Sequence, residues 1–499
     1  MDRNKCVSKS LLGLVVLIAL TIPAAFAQSW QAVTAPAPQG VGSMLLLTDG
    51  RVLVHAEQNN AQIWYTLTPD NTGSYVNGTW KQVGLMPAGY APVFFGSAVL
   101  RSGNVIVEGG EYNNGSAVWT TQGAMFNPKT NKWVSIAPPI GWSSIGDAQG
   151  INLPNGQYMQ ASCCDTPPKT AIFNPGTKTW TSVGSGKFDV YDEEGWTLLP
   201  NGKVLTVDAY VFQYNAAGSN YELYNPTTAT WTVPGTTPVQ LWDSAAACGG
   251  SNKATFEVGP AVLRPDGTVF ATGANSCGAG HTAIYNSTAG TWTAGPDFTG
   301  TDVADGPAAL ETNGNVLVMT SPGFGLTGAV FYEWNGTSLS VVAGPPNAPF
   351  DSSFYGHLVE LPTGQLLFTD YSTSVEVFTP SGTYQSAWRP TVVTSPATVT
   401  HAINGYKITG TQFNGLSEGA MYGDDFQSAT NYPLVRIVNN TTHHVFYCRT
   451  HGHSTMGVAT GSKIVSTLFD VPAGIELGAS TLYVVANGIP SAGTAITVN

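Results

Sequence analysis

The chain has 499 residues, 42% of them hydrophobic and only 10% charged, with 57 glycines and 32 prolines. The hydrophobic share is ample for a core, but the charged share lies far below the ~25% of an average globular protein, which points to many short strands joined by turns under a surface of Thr, Ser, Asn and Gly. A formal net charge of −12 excludes a nucleic-acid partner, whose phosphates need a basic surface; it suits a neutral ligand such as a carbohydrate, or a cation, and also serves solubility alone.

Residues 1–27 read as an export signal. Arg3, Lys5 and Lys9 precede an apolar run over 11–20, and Ala25 and Ala27 set a cleavage site before Gln28. Cys6 lies before the apolar run, which argues against a lipoprotein anchor. No later stretch reaches ~18 consecutive apolar residues, so the mature chain is expected to be extracytoplasmic, in the periplasm or outside the cell, with no transmembrane anchor.

Over residues 28–389 one unit recurs seven times. It runs GSMLLLTDG (42–50), FGSAVLRSG (95–103), AQGINLPNG (148–156), EGWTLLPNG (194–202), GPAVLRPDG (259–267), GPAALETNG (306–314) and GHLVELPTG (356–364). Each copy ends at a turn glycine and continues into an apolar or alternating stretch such as RVLVHA or NVIVEGG, the pattern of a β-hairpin. Behind four of these hairpins a second pattern places an aromatic residue seven positions before a tryptophan: Phe126 and Trp133, Phe173 and Trp180, Tyr224 and Trp231, Tyr285 and Trp292. Four antiparallel strands repeated seven times predict a seven-bladed β-propeller. The seventh repeat, near Phe378-Thr379-Pro380, lacks a tryptophan at that spacing, whereas Trp30 precedes the first hairpin; the economical reading is that the Trp30 strand completes or flanks the last blade. Residues 390–499 read as a further set of alternating strands, an immunoglobulin-like β-sandwich.

Hairpin, F/Y-N-P and tryptophan in tandem resemble kelch repeats. With the sandwich behind them, they resemble the galactose-oxidase and glyoxal-oxidase superfamily over nearly all of the mature chain. Copper radical oxidases of that superfamily hold copper with two tyrosines and two histidines, one tyrosine being cross-linked to a cysteine. The resemblance implies that these slots lie nine or ten residues before particular turn glycines: Val41 falls in the cysteine slot, Phe94 in that of the cross-linked tyrosine, and Phe354-Tyr355 in the tyrosine–histidine slot. Valine and phenylalanine form no thioether radical and Phe354 binds no copper, so a copper radical cofactor is not expected. In the tail, CRTHGHSTMG (448–457) places His453 where the family's sandwich histidine would lie.

The same count finds carboxylates elsewhere. Asp147, Glu193 and Asp305 stand nine residues before the turn glycines of repeats three, four and six, and Tyr355 nine before that of repeat seven. Asp192 and Glu257 stand ten before, and Glu194 eight. These positions converge on one end of the axis, where like charges raise one another's pKa unless a cation, an arginine or protonation relieves them. Asp147, Glu193, Glu257 and Asp305 are therefore candidate catalytic acids or bases, or oxygen ligands for Ca²⁺ or another divalent metal; Asp192, Glu194 and Tyr355 are candidate substrate contacts. A structural role, capping backbone N–H groups between blades, stands beside these readings.

The ends of the second strands add His55, Glu57, Glu111, Asp208 and Tyr371 to the same face. Adjacent Cys163 and Cys164 either close a vicinal disulfide, a platform for a sugar ring, or pair elsewhere or stay reduced. Cys248 and Cys277 occupy neighbouring loops of the fifth blade, an arrangement suited to a structural disulfide. His451 and His453 form an HxH pair, which on a strand can clamp a metal, provided their hairpin reaches the axis. Three functions fit: a carbohydrate-binding or carbohydrate-active propeller with its ligand at the axial acids, a metal-dependent oxidase using the tail histidines, and a non-catalytic adhesion module.

Overall fold

The computed structural model describes residues 28–57, 60–210, 220–243, 255–274, 280–425 and 428–499. The chain is all-β. Seven antiparallel sheets of at least four strands follow one another in sequence, each led by its inner strand: Val41–Leu46, Gly96–Val99, Gly150–Asn152, Thr197–Leu198, Val258–Leu263, Ala308–Leu310 and His357–Glu360. These inner strands pack around a common axis, and that of blade 7 meets that of blade 1.

The aromatic spacing has a direct structural cause. Phe126 sits opposite Trp133, Phe173 opposite Trp180, Tyr224 opposite Trp231 and Tyr285 opposite Trp292 across the third and fourth strands of blades 2 to 5. Each pair is an aromatic cross-strand contact, with ring centroids 4.9 to 5.2 Å apart. Some of these rings also join blades: Trp133 lies 5.2 Å from Trp64 of blade 1. Blade 7 is completed from the other end of the chain, as the orphan Trp30 suggested. Ser29–Ala32 pairs with Glu376–Thr379 and sets Trp30 opposite Phe378, restoring the missing aromatic pair and closing the ring one residue after the expected cleavage point.

The C-terminal strands run from Thr391–Thr394 to Thr494–Val498 around a core that includes Val435, Ile437, Cys448, Phe469 and Leu482. The strand Val445–His451 belongs to both layers, pairing first with Leu434–Asn439 and then with Val465–Asp470. This sandwich docks on the hairpin-turn end of the propeller: Thr450 N–H donates to Thr48 O, Gly452 N–H to Arg101 O and Met456 N–H to Pro154 O, at 2.8 to 3.2 Å. One segment leaves that surface. Ala420–Met421 adds a fifth strand to blade 6, beside Ala308 and Ala309, and the chain then continues along the axis to the opposite end.

Candidate functional site

The residues that lead into the inner strands share a backbone feature. Phe94, Glu193, Phe256 and Asp305 all adopt the left-handed region, with φ of 54°, 57°, 69° and 58°, and Gly146 does so at 64°. A non-glycine residue held there costs ~1–3 kcal/mol and persists only where its surroundings over-determine it. Its recurrence at one level of blades 2 to 6 marks a built ring of kinks, and the acids at or next to the kinks, Asp147, Glu193, Glu257 and Asp305, line one cavity.

That cavity has a volume of about 420 Å³ and lies within the size range of small-molecule sites. Besides the four acids it is lined by Glu111 from the end of a second strand, and by Asp424 and Asp425 from the segment that ascends from the sandwich. Its aromatic walls are Phe94, Tyr112, Phe324 and Phe354, and among the described residues no lysine or arginine lines it. The ascending segment fits only because two glycines meet. A β-carbon on Gly195 would stand 1.8 Å from Gly423 O, and one on Gly423 would stand 2.9 Å from Asp305 Oδ1.

The electrostatics follow from burial and crowding. Burial, and then Asp192, Asp424 and Glu111, push Asp147 well above the usual carboxylate range. Burial, followed by Glu257 and Asp424, does the same to Glu193, and burial followed by Glu257 does so to Asp305. Glu257, raised chiefly by burial, reaches about 8 while sharing hydrogen bonds with Glu193 and Asp305, and Glu111 reaches about 7. Glu193, Glu257 and Asp424 each offer an oxygen within 4.8 Å of the others, and Asp147, Asp192 and Glu193 do likewise, with Glu193 common to both sets. Buried Asp147 Oδ1, Glu257 Oε2 and Asp305 Oδ1 have no hydrogen-bond partner. Hard oxygen donors converging in this way can hold a divalent cation or share protons.

Other expected site residues are placed differently. Glu194 turns away from the cavity into a buried ion cluster, where Lys187 Nζ lies 2.9 Å from its Oε1 and 2.6 Å from Glu222 and also meets Asp189 and Asp208; it is not a substrate contact. Tyr355 packs its ring 4.3 Å from Phe354 and 5.4 Å from Tyr371, behind the cavity wall that Phe354 forms. His55 pairs with Glu57 at 2.9 Å inside blade 1, where Glu57 also accepts from Ser43. The Cys163 and Cys164 sulfurs lie at bonding distance, 2.11 Å, with exposed Cys164 3.8 Å from Asp192 Oδ1 at the rim. Cys248 and Cys277 fall outside the described residues.

The HxH pair does not reach the axis. It sits beside the hairpin turns at the far end of the propeller, because the sandwich docks there. His451 Nε2 is 3.0 Å from Asp470, and buried His453 is 2.9 Å from Thr467 Oγ1, its ring held neutral by burial that lowers its pKa to about 3. Gly452, with φ of 61°, breaks the strand between them, so the i, i+2 rule no longer aligns the rings. The segment that does reach the axis carries Asp424 and Asp425. These two acids belong to no blade repeat, so a count from the turn glycines does not reach them; two adjacent acids after a Tyr-Gly pair are their signal in the sequence. Val41, Phe94 and Phe354 in the copper-radical slots supply no metal donor, and the described residues bring no histidine to the cavity. The donor set does not fit that cofactor.

The fold defines a class: a kelch-like propeller closed by its N-terminal strand and followed by a sandwich, in the galactose-oxidase arrangement. A solved structure described as a novel fungal alcohol oxidase of the AA5 family, in complex with copper, matches 95% of this chain and 99% of its own with a TM-score of 0.50 at 13% identity, a likeness of fold alone. No family model and no curated protein sequence matches the chain.

Proposed function

We propose that the chain is an exported carbohydrate-binding propeller in which the axial carboxylates hold a hard divalent cation, Ca²⁺ by the chemistry of the donors. The cation and the rim aromatics together receive a neutral saccharide. Cys-Tyr copper radical chemistry has no part in it. The observation that carries this reading is the set of buried, unpartnered carboxylate oxygens of Asp147, Glu257 and Asp305 around Glu193 and Asp424. A cation replaces the missing hydrogen bonds and removes the like-charge penalty, and it leaves coordination positions for sugar hydroxyls. Phe94, Tyr112, Phe324 and Phe354 supply apolar faces for the C–H side of a pyranose ring.

The test is a neutral-glycan array probed in Ca²⁺ and again in chelator, with Glu193→Gln and Asp424→Asn beside the native chain. Binding in Ca²⁺ that chelator and both substitutions abolish is expected; binding unchanged by chelator and by both substitutions refutes the site. A carbohydrate-active form of the same reading rests on the Glu193–Glu257 hydrogen bond, in which Glu193, held well above the usual carboxylate range by burial, donates to Glu257 and stands ready as the proton donor. Release of new reducing ends from a bound glycan would establish it, and intact glycan after prolonged incubation would leave binding alone.

A further inference from the structure

Blade 2 carries an insertion that belongs to no blade. Between its second strand, Val105–Glu108, and its third, Gly123–Asn127, the two-residue strands Tyr112–Asn113 and Ser116–Ala117 form a small sheet with Pro92–Val93. One side of this sheet contributes Phe94, Glu111 and Tyr112 to the acidic cavity. On its other side lies a second cavity of about 380 Å³, bordered by Ala91, Asn114 and Gly115 of the same sheet and its turn, by the loop Asn60 to Ile63 of blade 1, and by Leu85 of the link between the blades. Tyr112 and Asn114, on the two cavities, are two residues apart, at most ~7 Å along the chain, so the small sheet and its turn form the partition.

The two cavities differ in chemistry. Among the described residues the second is lined by no charged side chain: its polar groups are the amides of Asn60, Gln62 and Asn114, and its apolar ones include Ile63, Ala91 and Leu85, the last 55% exposed. Asn60 Nδ2 donates to Gln39 Oε1 at 2.9 Å, which fixes that amide's orientation, while buried Gln39 Nε2 has no partner. A β-carbon on Gly115 would meet nothing within 4 Å, so the space beside the turn is open. Amides that donate and accept, set around an apolar floor, match the hydroxyls and C–H faces of a neutral sugar and offer nothing to an ion.

We infer that this cavity is a second saccharide subsite, and that the ligand is therefore an oligosaccharide bridging the blade 2 insertion, one end on the axial acids and the next units in the amide cavity. The inference rests on the axial reading above. It identifies the ligand as a chain and not a single sugar, and it makes the insertion a device for reading length.

Isothermal titration with the best glycan from the array, prepared at lengths of one to five units, tests this in Ca²⁺. Affinity is expected to rise about tenfold once the chain is long enough to cross the insertion, the worth of one or two net hydrogen bonds with an apolar contact. In a Gln62→Ala, Leu85→Glu double variant the gain with length is lost while the shortest binding glycan keeps its affinity. Leu85 is exposed, so the fold tolerates the change, and circular dichroism checks it. Short glycans that bind with no gain in longer ones, or a gain that survives in the double variant, overturn the second subsite and leave the axial site standing. Failure of every glycan at every length overturns both.

Discussion

Glu257 gives the acidic centre a measurable signature in stability. Its carboxyl moves from an ordinary 4.5 to about 8 on folding, chiefly through burial, and the residue is 8% exposed, so solvent screening does little to soften the effect. A raised carboxyl pKa means that between these two values the folded chain keeps a proton the unfolded chain has released. Stability contributed by the proton is complete below pH 4.5 and is lost as pH rises through 8, at ~1.4 kcal/mol per pH unit, roughly 5 kcal/mol in all. Chelator-treated protein should therefore unfold at markedly lower denaturant at pH 8 than at pH 5. Glu257→Gln, which keeps the shape and removes the charge, should recover most of that difference. Ca²⁺ should recover it at pH 8 in the native chain by taking the proton's place, and titration in buffers of different ionisation enthalpy should show protons released on binding. Urea unfolding at both pH values, with and without Ca²⁺, provides the assay. Equal stability of the chelated native chain at pH 5 and 8, or the same pH dependence in Glu257→Gln, would refute the reasoning.

Three further outcomes follow from the geometry. Gly195→Ala places a methyl group against Gly423 O, so the segment carrying Asp424 and Asp425 must shift, and calorimetry should find cation affinity at least about tenfold weaker. Lys187→Met leaves Asp189, Glu194, Asp208 and Glu222 without their buried cation, a loss of about 3–5 kcal/mol. Because burial already raises Glu194 and Asp208, that loss should deepen between pH 5 and 8, and a pH-independent loss in urea unfolding would contradict the account. Trp30→Ala removes the ring that packs against Phe368 and Phe378 in blade 7 and Phe331 in blade 6, and thermal unfolding should report a cost of about 3 kcal/mol.

The repeat was legible because each turn glycine and each aromatic pair answers to a local requirement. Gly50, Gly103, Gly156 and their counterparts adopt positive φ at hairpin turns, and the seven-residue spacing is the register of two strands and their turn. Counting back from those glycines located the four cavity acids because every blade repeats the same geometry. The count failed at Glu194 for the same reason: one residue beyond Glu193 in a kinked lead-in, it faces the blade interior, where Lys187 waits. Lys187 gave no warning, since its partnership with Asp189, Glu194, Asp208 and Glu222 is made by tertiary packing and not by spacing. The tail histidines misled because a resemblance assigns a role to a hairpin without saying which hairpin climbs the axis.

The segment that climbs the axis is held there by hydrogen bonds to three blades. Leu310 N–H donates to Gly419 O at 2.6 Å, Tyr422 OH to Phe354 O at 2.7 Å, and Ser428 Oγ to Leu358 O at 3.0 Å, so the segment is held by blades 6 and 7 on both sides of its two acids. Leu198 N–H donates to buried Glu418 at 2.7 Å, tying the base of the segment to blade 4. The sandwich thus acts as a plug whose tip completes a carboxylate ring that the blades alone leave open. The slots that the resemblance assigns to the copper radical site hold Val41, Phe94 and Phe354-Tyr355; the carboxylates stand at the lead-ins of blades 3 to 6, and the plug adds Asp424 and Asp425 to them. Hard oxygens converging at these lead-ins would favour a hard cation, and they do so without disturbing the aromatic pairs that build the ring.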